Sequence, residues 1–387
     1  MKKGWPTKRL GEVCEIIMGQ SPDGESYNTT GEGVPLINGP VEFSAESFGK
    51  TVRTKFTTQP TKFCKEGDLI LCVRGSTTGR MNIAGFDACV GRGVAAIRAK
   101  QYQPWINHFV SSKRDEIHGK GTGATFPNVS GDSLANFELV VPPLAEQQRI
   151  VGLLDEAFEG LATAKANAEK NLQNARALFA SHLQSVFTQR GPGWQTKKLG
   201  DVSDVMNGGT PKTGVPEYWA GQHRWITPAE MGKRVSPYVS DTERKITDLG
   251  LRDSSARMLP PNSVILSSRA PIGHLVINTE PMGTNQGCKG LIPHSQIETK
   301  FLYYYLSSIV DLLNSLGTGA TFKELSGGKL KEVTVPVPPL AEQQKIGAKL
   351  DRLAEETQRL ARLYERKQAA LEALKKSLLH QAFNGEL

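Results

Sequence analysis

The sequence lacks any hydrophobic run long enough to cross a bilayer. Its most apolar stretch, residues 301–316, is about 16 residues long and contains Asp311 and Asn314, whereas a transmembrane helix needs about 20 apolar residues. No apolar segment follows the basic opening MKKGWPTKRL, which is unlike a signal peptide. We therefore expect a cytoplasmic protein that makes no membrane contact.

Cysteine is scarce and scattered. The five cysteines form no C-x-x-C pair, and no histidine lies at the spacing of a zinc site. An odd, dispersed set in a chain of this length is typical of reduced, partly buried thiols. The pattern predicts neither a disulfide framework nor a metal site.

Motifs that carry catalysis are also missing. The sequence has no G-x-x-x-x-G-K-[ST] phosphate loop, no H-E-x-x-H and no nucleophile elbow. Val-Pro-Pro-Leu occurs twice, but never an Asn/Asp-Pro-Pro-aromatic tetrad, whose amide or acid would accept a hydrogen bond from a target amino group. We expect a chain that is not an enzyme and binds no cofactor of its own.

The charge balance is basic. Lysine and arginine number 47 against 39 for aspartate and glutamate, which gives a net charge of +8 and a pI of about 9.1. This excess favours an anionic partner, and nucleic acid is the usual candidate.

The chain is an internal repeat. PPLAEQQ occurs at residues 142–148 and again at 338–344, and GTGATF occurs at 121–126 and 317–322, so both recur 196 positions later. WPTKRLGEV at 5–13 matches WQTKKLGDV at 194–202. Between the opening tryptophan segment and GTGATF the halves agree only in outline, with GDLILCVRG resembling NSVILSSRA and Arg74 opposite Arg269. A doubled frame with two different inserts indicates one task performed on two different targets.

Each half begins with short strand-like runs and ends with a long helical segment. Strands are predicted at residues 34–38, 69–74, 94–98, 264–268 and 275–278, and shorter helices at 104–118 and 299–316. A further strand is predicted in each half, at 137–141 and 332–337, before the double proline ends it. Residues 145–188 and 341–384 then contain no proline.

The two long segments carry apolar residues at spacings of three and four, as in a coiled coil. The second seam comprises Ile346, Leu350, Leu353, Thr357, Leu360, Tyr364, Lys367, Leu371, Leu374 and Leu378, and the first comprises Ile150, Leu154, Ala157, Leu161, Ala164, Ala168, Leu172, Ala175, Phe179 and Val186. Each helix would reach roughly 65 Å, far beyond one small domain. We therefore expect the two helices to pack on each other rather than each on its own domain.

These patterns predict an α+β protein with pseudo-two-fold symmetry. Two mixed α/β domains, at residues 1–143 and 191–339, would be joined by long antiparallel helices at 144–190 and 340–387. Such helices would hold the two domains about one to two turns of B-DNA apart. The matching starts of the helices would offer two equivalent faces, so that a partner would bind as a pair.

The doubled PPLAEQQ(R/K)I, the GTGATF loops and the G-D-L-I-L-x-x-R-G segment together resemble the specificity subunit of type I restriction–modification systems, over essentially the whole chain. The resemblance implies two target-recognition domains, each reading one half of a bipartite, asymmetric site in double-stranded DNA. It also implies two methyltransferase subunits and two restriction subunits as partners. S-adenosylmethionine, ATP and Mg would then bind to those partners.

Candidate DNA contacts are lysine, arginine and small polar residues of the loops, because these side chains bind phosphates and base edges. They are Arg53, Lys55, Arg74, Ser76, Thr77, Arg80, Arg92 and Lys120 in the first half and Lys212, Thr227, Lys233, Arg234, Arg269, His274, Gln286 and Lys289 in the second. Arg74 and Arg269 are the strongest candidates, since each follows an apolar strand at its exposed end.

Two alternatives remain open at this stage. A coiled-coil scaffold or adaptor without sequence-specific DNA binding explains the helices but not the basic charge and the diverged inserts. A nuclease or methyltransferase with its own recognition domains lacks the motifs of a cofactor fold.

Overall fold

The protein is described by a computed structural model that covers residues 4–46, 48–119, 128–319 and 323–387. The chain divides into two compact units. The first unit comprises Met1–Glu169 and Arg366–Leu387, and the second comprises Lys170–Glu365. Both boundaries lie inside a long helix, so each unit contains a segment of both long helices.

The first unit contains short strands, short helices and two 3₁₀ turns. Its strands are β1 (Thr7–Arg9), β2 (Cys14–Met18), β3 (Tyr27–Asn28), β4 (Val34–Ile37), β5 (Phe56–Thr57), β6 (Phe63–Cys64), β7 (Leu69–Cys72), β8 (Met81–Ile83), β9 (Ala88–Val90), β10 (Val94–Ala99) and β11 (Glu138–Val140). Its helices are α1 (Leu10–Val13), α2 (Gln103–Ser112), α3 (Arg114–Gly119) and α4 (Gly131–Ala135), and its 3₁₀ turns are Gly24–Ser26 and Pro40–Glu42.

Two sheets form the core of the first unit. One has the order β2-β10-β7-β8 and the other the order β3-β5-β4-β9-β6. Strand β10 is buried on both faces, because Ala95 and Ile97 pack with the helices while Val94 and Ala96 pack with the second sheet. This alternation is the two-residue period of a strand.

A long helix, α5 (Leu144–Thr188), follows the first unit's strands, and a second, α12 (Leu340–Asn384), ends the chain. Between them lie strands and helices of the second unit. Its strands are β12 (Gln195–Lys198), β13 (Ser203–Asn207), β14 (Trp219–Ile226), β15 (Tyr238–Val239), β16 (Arg244–Ile246), β17 (Met258–Leu259), β18 (Val264–Ser268), β19 (Ile272–Asn278), β20 (Met282–Thr284), β21 (Cys288–Pro293) and β22 (Thr334–Val337). Its helices are α6 (Leu199–Val202), α7 (Pro228–Lys233), α8 (Asp248–Arg252), α9 (Thr299–Ser308), α10 (Val310–Leu316) and α11 (Gly327–Glu332), with a 3₁₀ turn at Pro216–Tyr218.

The second unit repeats the two-sheet plan of the first. Its sheets have the orders β13-β21-β18-β19-β15 and β16-β14-β20-β17. Along β18, Val264 and Leu266 pack against the helices, whereas Ile265 packs against the other sheet. The fold class is therefore the predicted one, two mixed α/β domains with two long helices.

The long helices begin at the predicted residues 144 and 340 and end at 188 and 384, two and three residues before the predicted ends at 190 and 387. In the first unit, Lys165 forms an ion pair with Glu372 at 2.7 Å, and the ammonium of Lys375 lies 5.1 Å from the ring centre of Phe158. Lys165 follows Phe158 along α5, whereas its partner Glu372 precedes Lys375 along α12. These two helical segments therefore run antiparallel. In the second unit, Arg176 pairs with Glu365 at 3.1 Å.

The long helices pack on each other, as expected, but their ends also pack on domain cores, which was not predicted from the sequence. Ile150 and Leu154 of α5 belong to the first unit's core, and Leu183 and Phe187 of α5 belong to the second unit's core. Leu374, expected in the seam of α12, is 47% exposed.

Each shorter helix predicted from the sequence is in fact two helices. The predicted segment 104–118 breaks at Lys113 between α2 and α3, and the segment 299–316 breaks at Ile309 between α9 and α10. Within the described ranges, no helix is both long and apolar enough to span a membrane.

Candidate nucleic-acid interface

Four loops, those that follow β2, β4, β7 and β9, meet at one end of the sheets in the first unit. Strands β4 and β9 run parallel, which places Asn38 and Gly91 at the same end. Four backbone hydrogen bonds, here called the loop frame, hold these loops together. They run from Gly91 N to Ile37 O (2.8 Å), Gln20 N to Val90 O (2.9 Å), Gly19 N to Val94 O (3.0 Å) and Val73 N to Gly93 O (3.0 Å).

The second unit builds the same loop frame, again from a parallel pair, β14 and β20. The four equivalent bonds run from Asn285 N to Ile226 O (2.9 Å), Gly209 N to Thr284 O (2.9 Å), Gly208 N to Cys288 O (3.1 Å) and Ser268 N to Gly287 O (2.7 Å).

Glycine is required at one position of each loop frame. A Cβ atom on Gly19 would lie 2.2 Å from the carbonyl oxygen of Gly91, and one on Gly208 would lie 2.0 Å from that of Asn285. Any larger residue would push the loops apart. The backbone is thus held in the same way twice.

The side chains on the two loop frames differ. The equivalent pairs are Gln20 and Gly209, Ser21 and Thr210, Asn38 and Thr227, and Arg92 and Gln286. In the first unit the hydroxyl of Ser21 accepts a hydrogen bond from Arg92 N at 3.3 Å, and in the second Thr210 bonds to Gln286. The same backbone arrangement therefore presents different hydrogen-bonding groups in the two units. Two domains that bind different base sequences would need such a difference.

Arg74 and Arg269 occupy equivalent positions beside the loop frame. Each forms an isolated antiparallel bridge with a residue that follows the GTGATF loop, Arg74 with Asn128 and Arg269 with Glu324. The guanidinium of Arg269 lies 3.9 Å from the Glu324 carboxylate. Because Asn128 is neutral, the positive charge of Arg74 is not offset in this way.

Other candidates of the first unit lie in different places. Ser76 is exposed at the tip of the turn that follows Arg74, whereas Arg80 faces Phe48 and Arg114 across a shallow cavity. Thr77 bonds to the buried thiol of Cys72. The Arg53 guanidinium stacks 4.7 Å from the ring centre of Phe86.

Lys120 lies outside the described residues, together with the GTGATF loop of the first unit.

In the second unit Gln286 lies on the loop frame, and the exposed Lys212 lies on the adjoining loop. His274 lies on β19, where its ring is 2.7 Å from the position that a Cβ on Gly232 would take.

Four candidates of the second unit already have partners inside the protein. Thr227 caps α7 by accepting a hydrogen bond from Glu230 N at 3.2 Å. Arg234 pairs with the buried Glu230 at 2.6 Å, and Lys233 pairs with Glu243 at 3.7 Å. Lys289 is only 5% exposed, with its ammonium 3.9 Å from Glu324.

The residues of the loop frame that sequence reasoning missed are mainly small and uncharged. Ser21, Asn38, Thr210 and Asn285 were not candidates, because residue type alone does not distinguish them from other polar loop residues. The sequence does carry one indication of this site. Gly19 and Gly208 are separated by the same number of residues as the repeated segments WPTKRLGEV and WQTKKLGDV.

Burial disfavours the charged form of four cysteine thiols. Burial raises the pKa of Cys14, Cys64 and Cys288 to about 12 and that of Cys72 to about 11. Thiolate, the nucleophilic form, is therefore almost absent at neutral pH. All five cysteines are free and buried, as the sequence predicted.

The start of each long helix combines a buried glutamine with an exposed leucine. Gln147 donates to Pro142 O at 2.8 Å, and the equivalent Gln343 donates to Pro338 O at 2.8 Å and to Gln296 O at 3.0 Å. Leu144 is 39% exposed and Leu340 is 43% exposed. The repeated PPLAEQQ therefore fixes the helix start and presents the same apolar residue in both units.

These features define a protein with two copies of one binding domain. The family model for the type I restriction modification DNA specificity domain matches residues 2–172 and again residues 192–368. The chain therefore belongs to this family and carries the domain twice.

Curated relatives and solved structures agree with this assignment. Over 159 residues, 41% of this chain, the sequence is 40% identical to the MjaIX specificity subunit of Methanocaldococcus jannaschii, and over 54% of this chain it is 32% identical to the EcoR124I/EcoR124II specificity subunit of Escherichia coli. These matches span 37% and 52% of the relatives' own lengths, about half or less.

Two solved structures share the fold over the whole chain. One comes from work on complex assembly and conformational transition of a type I R-M system, with a TM-score of 0.83, 23% identity and 99% of that chain covered. The other is the HsdS subunit of Thermoanaerobacter tengcongensis, with a TM-score of 0.64, 22% identity and 98% of that chain covered.

Proposed function

We propose that this protein is the DNA-recognition subunit of a type I restriction–modification complex. Each unit reads one half of a bipartite, asymmetric site in double-stranded DNA. The observation that carries the proposal is the loop frame, which is built twice from equivalent hydrogen bonds and carries different side chains in each unit. A scaffold without DNA binding would not explain why the two loop frames carry different side chains.

The chain itself performs no chemistry in this proposal. Methyl transfer belongs to two methyltransferase subunits, and cleavage and translocation to two restriction subunits, which bind S-adenosylmethionine, ATP and Mg. The complex works in the cytoplasm, where reduced thiols such as the five buried cysteines are stable.

The methyltransferase subunits dock at the starts of α5 and α12. The exposed Leu144 and Leu340 occupy equivalent positions there, next to the equivalent glutamines Gln148 and Gln344. Two equal faces bind two copies of one partner. The helices, at 45 residues each, span about 65 Å and set the unread gap between the half-sites.

Methylation mapping tests this function. DNA from cells that express the complete complex is sequenced for methylated bases. We expect one motif made of two unlike half-sites, separated by a gap of fixed length and free sequence. A motif without a gap, a palindromic motif or no motif at all would contradict the proposal.

A further inference from the structure

A cation in the second unit contacts two indole rings. The guanidinium carbon of Arg244 lies 3.8 Å from the ring centre of Trp219 and 5.2 Å from that of Trp225. The rings meet edge to face, 5.2 Å apart at 79°. Trp225 is 1% exposed and donates its indole N–H to Gly209 O at 2.9 Å. Because Gly209 belongs to the loop frame, this bond connects the aromatic pair to the loop frame.

The guanidinium of Arg244 is held by ring contacts rather than by a charged partner. It is exposed, and within the described ranges no carboxylate forms an ion pair with it. The neighbouring Arg224, by contrast, lies 3.5 Å from Asp241. Stacking fixes the plane of the guanidinium and leaves its N–H edge available.

The backbone beside Trp219 is distorted. Both Trp219 and His223 stand opposite Ile246, so β14 bulges between them. Ala220 has a φ of 59°, in the left-handed region that alanine rarely adopts, and a Cβ on Gly221 would lie 2.4 Å from Ile246 O. Bulges of this kind re-aim a side chain and are common beside functional sites.

The first unit has a comparable arrangement, although its residues lie on two strands, β3 and β4, that both pair with β5. Tyr27 and Val34 both stand opposite Thr57, and a Cβ on Gly33 would lie 2.3 Å from Thr57 O. The ammonium of Lys55 lies 5.6 Å from the ring centre of Tyr27. Tyr27 therefore corresponds to Trp219 and Lys55 to Arg244.

Each aromatic ring is also tied to the loop that carries the frame. The hydroxyl of Tyr27 donates to Pro22 O at 3.2 Å, and the indole N–H of Trp219 donates to Lys212 O at 3.3 Å. Pro22 follows Ser21, and Lys212 lies two residues after Thr210. The cation–aromatic pairs and the loop frames thus belong to one surface in each unit.

We propose that Arg244 and Lys55 are the specificity-determining cations of the two units, each positioned by its aromatic partner. The inference rests on the proposed function. Arg244, held flat, donates two parallel hydrogen bonds to the O6 and N7 acceptors of a guanine in one half-site. Lys55, a mobile point charge on a single ring, contacts purine acceptors in the other half-site with weaker discrimination.

Arg244→Lys tests the proposal, because it keeps the charge and removes the planar pair of donors. The complete complex with its methyltransferase subunits is mixed with duplexes randomised in both half-sites, and the bound fraction is sequenced. We expect one guanine of one half-site to lose its preference by about tenfold or more, while the other half-site is unchanged. Trp219→Leu should lower the same preference less.

Arg252→Lys is the matched control, since Arg252 is an exposed arginine of the same unit paired with Asp253 at 3.1 Å. It should leave every base preference unchanged. Hydrogen exchange of β14 and β16 verifies that each variant is folded.

Two results would overturn the inference alone: wild-type preferences that persist in both Arg244→Lys and Arg244→Ala, or equal losses on selected and scrambled duplexes, which would make Arg244 a phosphate contact. A wild-type complex without any base preference would overturn the proposed function as well.

Discussion

The imidazole Nε2 of His108 lies 2.8 Å from Oδ1 of Asp155 and joins α2 to α5 in the first unit. The equivalent pair in the second unit is Tyr304 and Asp351, whose hydroxyl and Oδ1 atoms are 2.6 Å apart and join α9 to α12. The repeat therefore anchors each recognition domain to a long helix through an aspartate at the same helical position. The partner residue, however, is different.

Asp351→Asn should destabilise the second unit by about 2–3 kcal/mol, because three donors lose a charged acceptor. Lys300 contacts Asp351 at 2.6 Å, Tyr304 at 2.6 Å and Tyr238 at 2.9 Å. Burial opposes ionisation of Asp351, but these bonds outweigh it and lower its pKa. Hydrogen exchange of α9 in the full chain measures the effect.

Asp155→Asn is the matched variant in the first unit. Asp155 is 63% exposed, and among the described residues its carboxylate bonds to His108 alone. We expect a loss of about 1 kcal/mol or less. Equal losses in the two variants would show that the extra donors around Asp351 contribute nothing.

The first unit should lose stability as the pH falls below about 6.5. Burial lowers the pKa of His108 in spite of its bond to Asp155. Below pH 6.5 the unfolded chain therefore takes up a proton that folded His108 does not, which favours unfolding. His108→Tyr, the residue of the second unit, should reduce the difference in exchange protection of α2 between pH 7.5 and 5.5. An unchanged difference would assign the pH dependence to other groups.

Arg74→Ala should weaken binding to one half-site by about 1–3 kcal/mol, and Arg269→Ala should weaken binding to the other. Titrations of the complete complex with duplexes that carry one scrambled half-site measure both effects. Arg252→Ala is the control for surface charge. If Arg74→Ala weakens binding to fully scrambled DNA equally, Arg74 contacts phosphate rather than bases.

Leu144→Glu and Leu340→Glu should each remove one methyltransferase subunit from the complex, since a carboxylate would be buried in an apolar contact. Native mass spectrometry would then show one subunit instead of two. Leu363→Glu is the control, because Leu363 is 45% exposed on α12 and Asn167 stands at the corresponding position of α5. Two subunits retained in both single variants would place docking elsewhere.

Sequence patterns predicted the elements that depend on local signals. The double prolines and the spacing of apolar residues located the starts of α5 and α12 correctly and their ends to within three residues. The breaks at Lys113 and Ile309 were missed, because no proline or glycine marks either position in the sequence.

Only part of the candidate site could be predicted. Arg74, Arg92, Arg269 and Gln286 follow strands and were found as polar loop residues. The loop frame was not found, because backbone hydrogen bonds between distant segments, such as Gly19 N to Val94 O, leave little trace in residue type. Trp219 and Arg244 were missed because their contact depends on a bulge in β14.

The most direct test of two unlike recognition units is the affinity of the complete complex for four duplexes. One carries the mapped site, two carry one scrambled half each, and one carries a spacer of the same length and different sequence. We predict that scrambling either half weakens binding by at least about a hundredfold, since each lost half removes several base contacts, and that the new spacer changes affinity little. Full affinity with one half scrambled would contradict the account.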